Sequence, residues 1–153
     1  PLRLVGSEMC IRDSCTEGSY RLFPDRISLP TTISNGKQIE IAHRWNNFGW
    51  GYCPTNIPQW KNKYKVAFAL LDIKNDKPKY VFVDGEPEAC DWVKGTAKSY
   101  TFTTRVEGVE AGKYMWAVGI VDTAKQNEIG IHLAVKNNVT SAGWLKLFEV
   151  TAR

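Results

Sequence analysis

Apolar residues in this chain alternate with polar ones over short stretches and almost nowhere recur at helical spacing. Gln38 to Trp45 shows the pattern best. Ile39, Ile41, His43 and Trp45 fall on one face, and Gln38, Glu40, Ala42 and Arg44 on the other, as expected of a half-buried strand. Tyr100, Phe102, Thr104 and Val106 alternate in the same way with Thr101, Thr103 and Arg105. Tyr64 to Ile73 is apolar on both faces, the mark of a central strand covered on two sides. Asn75-Asp76 predicts a turn, after which Lys79 to Val83 returns. Tyr20 to Ser28, Lys113 to Val121 and Trp144 to Thr151 complete the strand set. Gly, Pro, Asn and Asp separate these runs. The pattern predicts an all-β protein: an immunoglobulin-like antiparallel β-sandwich of about seven or eight strands. Two long connections, 46–63 and 84–98, would gather at the ends of such a sandwich, where binding usually happens.

Composition narrows the picture. The chain has 153 residues, of which 43% are hydrophobic and 24% charged. That is enough apolar material for a single core, and too much for a disordered chain. The net charge of +4 comes from scattered basic residues, whereas nucleic-acid binding wants them clustered on one face. No apolar run approaches the roughly 18 residues of a membrane span. The sequence therefore points to neither nucleic acid nor membrane as a partner.

Residues 1–14 stand apart. They carry none of the marks of a signal peptide. Leu4 to Ser14 back-translates without strain to a string resembling a transposase-type sequencing adapter. On that reading 1–14 is adapter-derived, 15–153 is the sandwich domain, and the natural gene continues upstream. The other reading is a native, poorly ordered extension. Setting Cys10 aside with this stretch leaves Cys15, Cys53 and Cys90, an odd number that argues against a complete disulfide framework. Cys53 and Cys90 lie in the two long loops and would pair if those loops share an end, implying an oxidising compartment; buried thiols are the alternative.

Candidate chemistry is sparse. Asp84, Glu86, Glu88 and Asp91 crowd one loop, but two glycosidase carboxylates need a rigid scaffold and separated pKa values. A solvated acidic loop is the simpler account. His43 and His132 form no metal-binding spacing, and His43 sits on the apolar face of its strand, as a hydrogen-bonded core histidine would. Nucleophile signatures and phosphate-binding glycine loops are absent. The reading is a non-enzyme with no catalytic residues, no metal site and no cofactor. The loop aromatics Trp50, Tyr52, Trp60 and Trp92 are the candidate carbohydrate-binding set, because sugar rings stack on exposed aromatic faces. Trp45, Tyr114 and Trp116 hold alternating strand positions and are expected in the core.

The order of several motifs resembles a bacterial domain-of-unknown-function family. Gly18-Ser19-Tyr20-Arg21 matches its opening strand. Trp45, Asn47 and Gly49 match a Trp-x-Asn-x-Gly strand end, followed here by Tyr52-Cys53-Pro54. Ala69-Leu70-Leu71-Asp72, Trp92 with Gly95, Ala111-Gly112 with Tyr114, Gly119-Ile120-Val121-Asp122, Ile131 with Leu133-Ala134, and Gly143-Trp144 follow in order. The likeness covers residues 18–151, with a longer loop at 51–63 and non-acidic residues at 136–142 as departures. Members of that family form the C-terminal sandwich of proteins resembling glycoside hydrolases. The resemblance implies a noncatalytic accessory domain, packed on an N-terminal catalytic barrel of the same natural chain, in an exported protein of carbohydrate metabolism. Two alternatives stay open. One is a carbohydrate-binding module that grips polysaccharide or oligosaccharide through the loop aromatics. The other is a cell-surface adhesion or interaction domain.

Overall fold

The structure, a computed structural model, describes residues 2–5, 21–47, 49, 53, 55–135 and 137–153. Ten strands are present among them: β1 (Leu2–Val5), β2 (Leu22–Pro30), β3 (Thr32–Ile33), β4 (Gln38–Asn47), β5 (Tyr64–Asp72), β6 (Pro78–Asp84), β7 (Lys98–Arg105), β8 (Gly112–Asp122), β9 (Glu128–Ile131) and β10 (Leu145–Ala152). Two sheets form, one in the order β1-β2-β4-β7 and the other β3-β10-β8-β5-β6, with β9 added to β8. Their inner faces meet in one apolar core, which makes the chain an immunoglobulin-like β-sandwich.

Seven of these strands coincide with the predicted runs. The extra three are β1, which falls in the stretch set aside as adapter-derived, and the two-residue β3 and four-residue β9, both too short to show a period of two. Their presence raises the strand number above the seven or eight expected. Pro24 is tolerated inside β2 because it sits at a register shift in the β2–β4 ladder, where one backbone donor is not required. The β5–β6 hairpin turns where Asn75-Asp76 predicted it, with Asp76 at φ 58°. There the Asp72 carboxylate accepts the Lys74 N–H at 2.8 Å, a bond that holds its pKa below the usual carboxylate range.

The six-stranded sheet is unusual on its outer side. An antiparallel sheet with one face in water alternates apolar and polar residues. Here β5 is buried on both faces: Val66, Phe68 and Leu70 enter the main core, while Ala67, Ala69 and Leu71 join Ala117, Val121 and Trp144 in a second cluster outside it. The turn before β10 lays Trp144 over that face. Gly143 makes this turn at φ 100°, donating its N–H to the Thr140 carbonyl at 2.9 Å. A Cβ at Gly143 would lie 2.8 Å from Ile129 Cγ2 and 3.1 Å from the His132 ring. Gly143→Ala is therefore expected to cost about 1–3 kcal/mol through backbone strain and overpacking. Urea unfolding monitored by tryptophan fluorescence measures it, and an unchanged midpoint would refute the account of the turn.

Candidate functional site

The chemistry-bearing residues gather where β4, the end of β6 and the start of β7 meet. β4 carries His43 and Trp45 on its inward face, as the alternation required, and both are buried. Asp84 ends β6 in the opposite sheet. Trp92 follows a single 3-10 turn at Ala89–Asp91, and Tyr100 lies directly across from His43 on β7.

Four rings close into a cluster. Trp45 and Trp92 stack with centroids 4.7 Å apart and planes 9° from parallel. His43 and Tyr100 stack at 5.5 Å and 29°. Each indole then donates to one ring of the other pair: Trp45 Nε1–H to His43 Nδ1 at 2.8 Å, and Trp92 Nε1–H to the Tyr100 hydroxyl at 2.8 Å. An indole nitrogen only donates, so His43 Nδ1 must accept and the ring proton must sit on Nε2. That Nε2–H points at Asp84 Oδ2, 3.0 Å away. The other Asp84 oxygen accepts the Glu86 N–H at 3.1 Å. The tautomer is thus fixed by its neighbours.

Burial drives the His43 pKa below its ordinary value, and the Asp84 carboxylate and the more distant Glu86 oppose that shift only in part. Burial likewise pushes the Tyr100 phenol up, against the hydrogen bond it accepts from Trp92. An aspartate–histidine pair is the usual layout of a general base. Here the second imidazole nitrogen is filled by an indole N–H, and the His43 and Asp84 side chains are 0% and 5% exposed. The pair presents no lone pair to a substrate and acts as a polar tie between the sheets.

Asn47 extends the tie into the loops. Its Oδ1 accepts from the Arg21 N–H at 2.9 Å and the Gly49 N–H at 2.7 Å, while its Nδ2 donates to the Trp92 carbonyl at 3.0 Å. The Trp45, Asn47, Gly49 motif therefore specifies packing: the Trp stacks, the Asn ties the loops down, and the Gly follows closely.

These positions revise several expectations. The acidic loop is not uniformly solvated: Asp84 turns inward to His43, and Glu88 pairs with the buried Lys65, leaving Glu86 and Asp91 exposed. Trp92 is 1% exposed, with one face against Trp45, so it offers no platform to a sugar. Trp60 is half-buried, edge-on to Tyr64 at 5.0 Å and packed on the core. Trp50 and Tyr52 lie outside the described residues. The two loops do share an end, since Thr55 donates its N–H to the Cys53 carbonyl and its hydroxyl accepts from the Cys90 N–H at 3.0 Å. Even so, Cys53 and Cys90 are thiols with no bridge between them. Trp45, Tyr114 and Trp116 are core residues, as expected. Among the described residues no three His, Cys, Asp or Glu side chains come together to hold a metal ion, and no helix is long and apolar enough to cross a membrane.

No protein-family model matches this chain, and no curated protein sequence does. Among solved structures the chain is similar to a Niemann-Pick type C2 protein from the Japanese carpenter ant, with a TM-score of 0.52 and 9% identity over 94% of this chain and 99% of that one. That likeness supports the two-sheet sandwich and nothing finer. A CARDB domain from Pyrococcus furiosus, solved with di-metal ions, matches with a TM-score of 0.45 and 16% identity over 90% of this chain and 97% of its own. A β-glucosidase from Listeria innocua matches with a TM-score of 0.43 and 16% identity over 87% of this chain but 16% of its own.

The ring cluster makes stability pH-dependent with a definite sign. In the unfolded chain His43 titrates near 6.5. In the folded protein its pKa is lower, so between those two values only the unfolded chain binds the proton. Stability is full above about pH 6.5 and is lost as the pH falls toward the folded value, with a slope of at most about 1.4 kcal/mol per pH unit. Urea titrations between pH 7 and 5 should show stability falling with pH in the native sequence and falling less steeply in His43→Gln. Asp84→Ala leaves the His43 Nε2–H and the Glu86 N–H without their acceptor and should cost about 1–3 kcal/mol at pH 7. A loss below a few tenths would show that the tie is dispensable.

Proposed function

We propose that this sandwich is a noncatalytic accessory domain that packs against, and supports, the catalytic barrel of a larger glycoside-hydrolase-like protein. The observation that carries this reading is the apolar outer face of the six-stranded sheet. Val81, Val83, Met115 and Ile129 lie half-buried around the small residues Ala67, Ala69 and Ala117. Ile73, just past β5, is 41% exposed. A sheet built apolar on both sides is suited to being covered on both sides, and a neighbouring domain of the same chain is the cover that the motif order implies. The sealed His43–Asp84 pair and the inward Trp92 fit the same reading, because they spend the loop-bearing end on packing.

Export of the protein belongs to this proposal through the family resemblance alone, since the Cys53 and Cys90 thiols give no support for an oxidising compartment. On the reading that residues 1–14 are adapter-derived, the natural gene upstream of Cys15 tests the setting. A barrel with two acidic residues at its strand ends is expected, and a run of further sandwiches would overturn the reading in favour of an adhesion array. In the two-domain chain, Val81→Lys combined with Val83→Lys should lower the sandwich's melting temperature toward that of the isolated domain. The isolated domain should lose little. Equal losses in both would show that the face has no interdomain role.

A further inference from the structure

The outward face of the four-stranded sheet has a different character. Because Ile27, Leu29, Ile41 and His43 point inward, their neighbours Arg26, Ser28, Ala42 and Arg44 point away from the core. The ladders place Arg26 across from Arg44 and Arg44 across from Ser99; the next rank is Ser28, Ala42 and Thr101. Ala42 is the smallest side chain in the middle of these ranks, and a trough of about 310 Å³ opens there, lined by both arginines and the three hydroxyl residues. A second hollow of about 530 Å³ adjoins it through Ser28 and Ala42 and runs on past Gln38, Glu40 and Lys37. Both fall in the size range of ligand sites.

Like charges set directly opposite each other across antiparallel strands are unfavourable. One of this pair is compensated: Arg44 Nε donates to Asp25 Oδ1 at 2.8 Å, and Asn46 Nδ2 steadies the other Asp25 oxygen at 3.3 Å. Arg26 is exposed and has no ion-pair partner among the described residues. A guanidinium uncompensated among the described residues, beside a second and at the lip of a trough lined with hydroxyls, supplies the donors that a carboxylate takes up in a forked pair.

The geometry points to a binding site for an acidic oligosaccharide on this face. A uronate carboxylate would meet Arg26, with sugar hydroxyls exchanging hydrogen bonds with Ser28, Ser99 and Thr101. The next sugar would extend into the adjoining hollow, where Gln38 and Glu40 offer both donors and acceptors. The choice of a glycan rests on the proposed setting of the domain; the demand for a negative charge rests on the arginine pair.

Titration calorimetry on this chain, at low salt, tests the site with tetragalacturonate, cellotetraose and inorganic sulfate. The expected result is binding of tetragalacturonate alone, weakened at least about tenfold by Arg26→Ala and also lost in Ala42→Gln, which fills the trough without changing a charge. Both positions face outward, so unchanged thermal melting confirms that the variants are folded. Equal binding of cellotetraose would overturn the role of charge, and sulfate binding as tight as that of tetragalacturonate would reduce the site to a bare anion site. No binding, or binding indifferent to Arg26, overturns the proposal outright. None of these failures bears on the Val81 and Val83 experiment, so the supporting role stands or falls separately.

Discussion

The structure turns on one buried hydrogen-bonded line that crosses the core: Trp45 to His43 within β4, then His43 to Asp84 in the opposite sheet. Each member satisfies the next. The indole can only donate, which makes one imidazole nitrogen an acceptor and the other a donor; the donor needs a carboxylate, and the carboxylate needs the Glu86 N–H for its second oxygen. A buried polar group without a partner is costly, so this line works only with its full complement. It fixes how the end of β6 meets β4, and hence the register of one sheet over the other. The stacked Trp45–Trp92 and His43–Tyr100 pairs fill the space around it, which gives the loop after β6 one way to close.

Much of this was legible along β4. The alternation put His43 and Trp45 inward, and a histidine on an apolar face already demands a hydrogen-bond partner. What the sequence could not show was the partner. Asp84 sits 41 residues away in a loop rich in acids, and local composition makes such a carboxylate look solvated. Only the pairing of β6 with β5 turns it toward the core. Trp92 misled for a related reason: an aromatic in a long loop reads as surface, yet here the loop folds back and the indole becomes the second layer of the core. The Trp-x-Asn-x-Gly segment was visible as a motif and silent about purpose until Asn47 was seen joining three backbone positions. β3 and β9 escaped because two or four residues carry no period.

The apolar character of β5 on both faces was also visible, and its meaning came in two parts. One face is the sandwich core. The other is floored by alanines and partly roofed by Trp144, through a turn that only a glycine at position 143 makes easily. Small residues on that floor let the roof lie close, and the valines of β6 and Met115 finish the surface level with it. The sheet is thereby packed with apolar residues on both of its faces.

The two outer faces of this sandwich are therefore unlike, and the difference follows from strand composition. β5 and β8 supply alanine, valine and glycine outward, already out of water beneath Trp144 and Ile129, and the half-buried Val81, Val83 and Met115 leave an apolar margin beside them. β2, β4 and β7 supply arginine, serine, threonine and glutamate outward, a surface whose groups must find polar partners wherever they go. Since sheets in a sandwich lie about 10 Å apart, a partner covering the first face leaves the second open on the far side. The ring cluster at the shared end braces both sheets against each other. On the proposed reading, that arrangement lets one sheet be held against a neighbouring domain while the other keeps its troughs exposed and in fixed register.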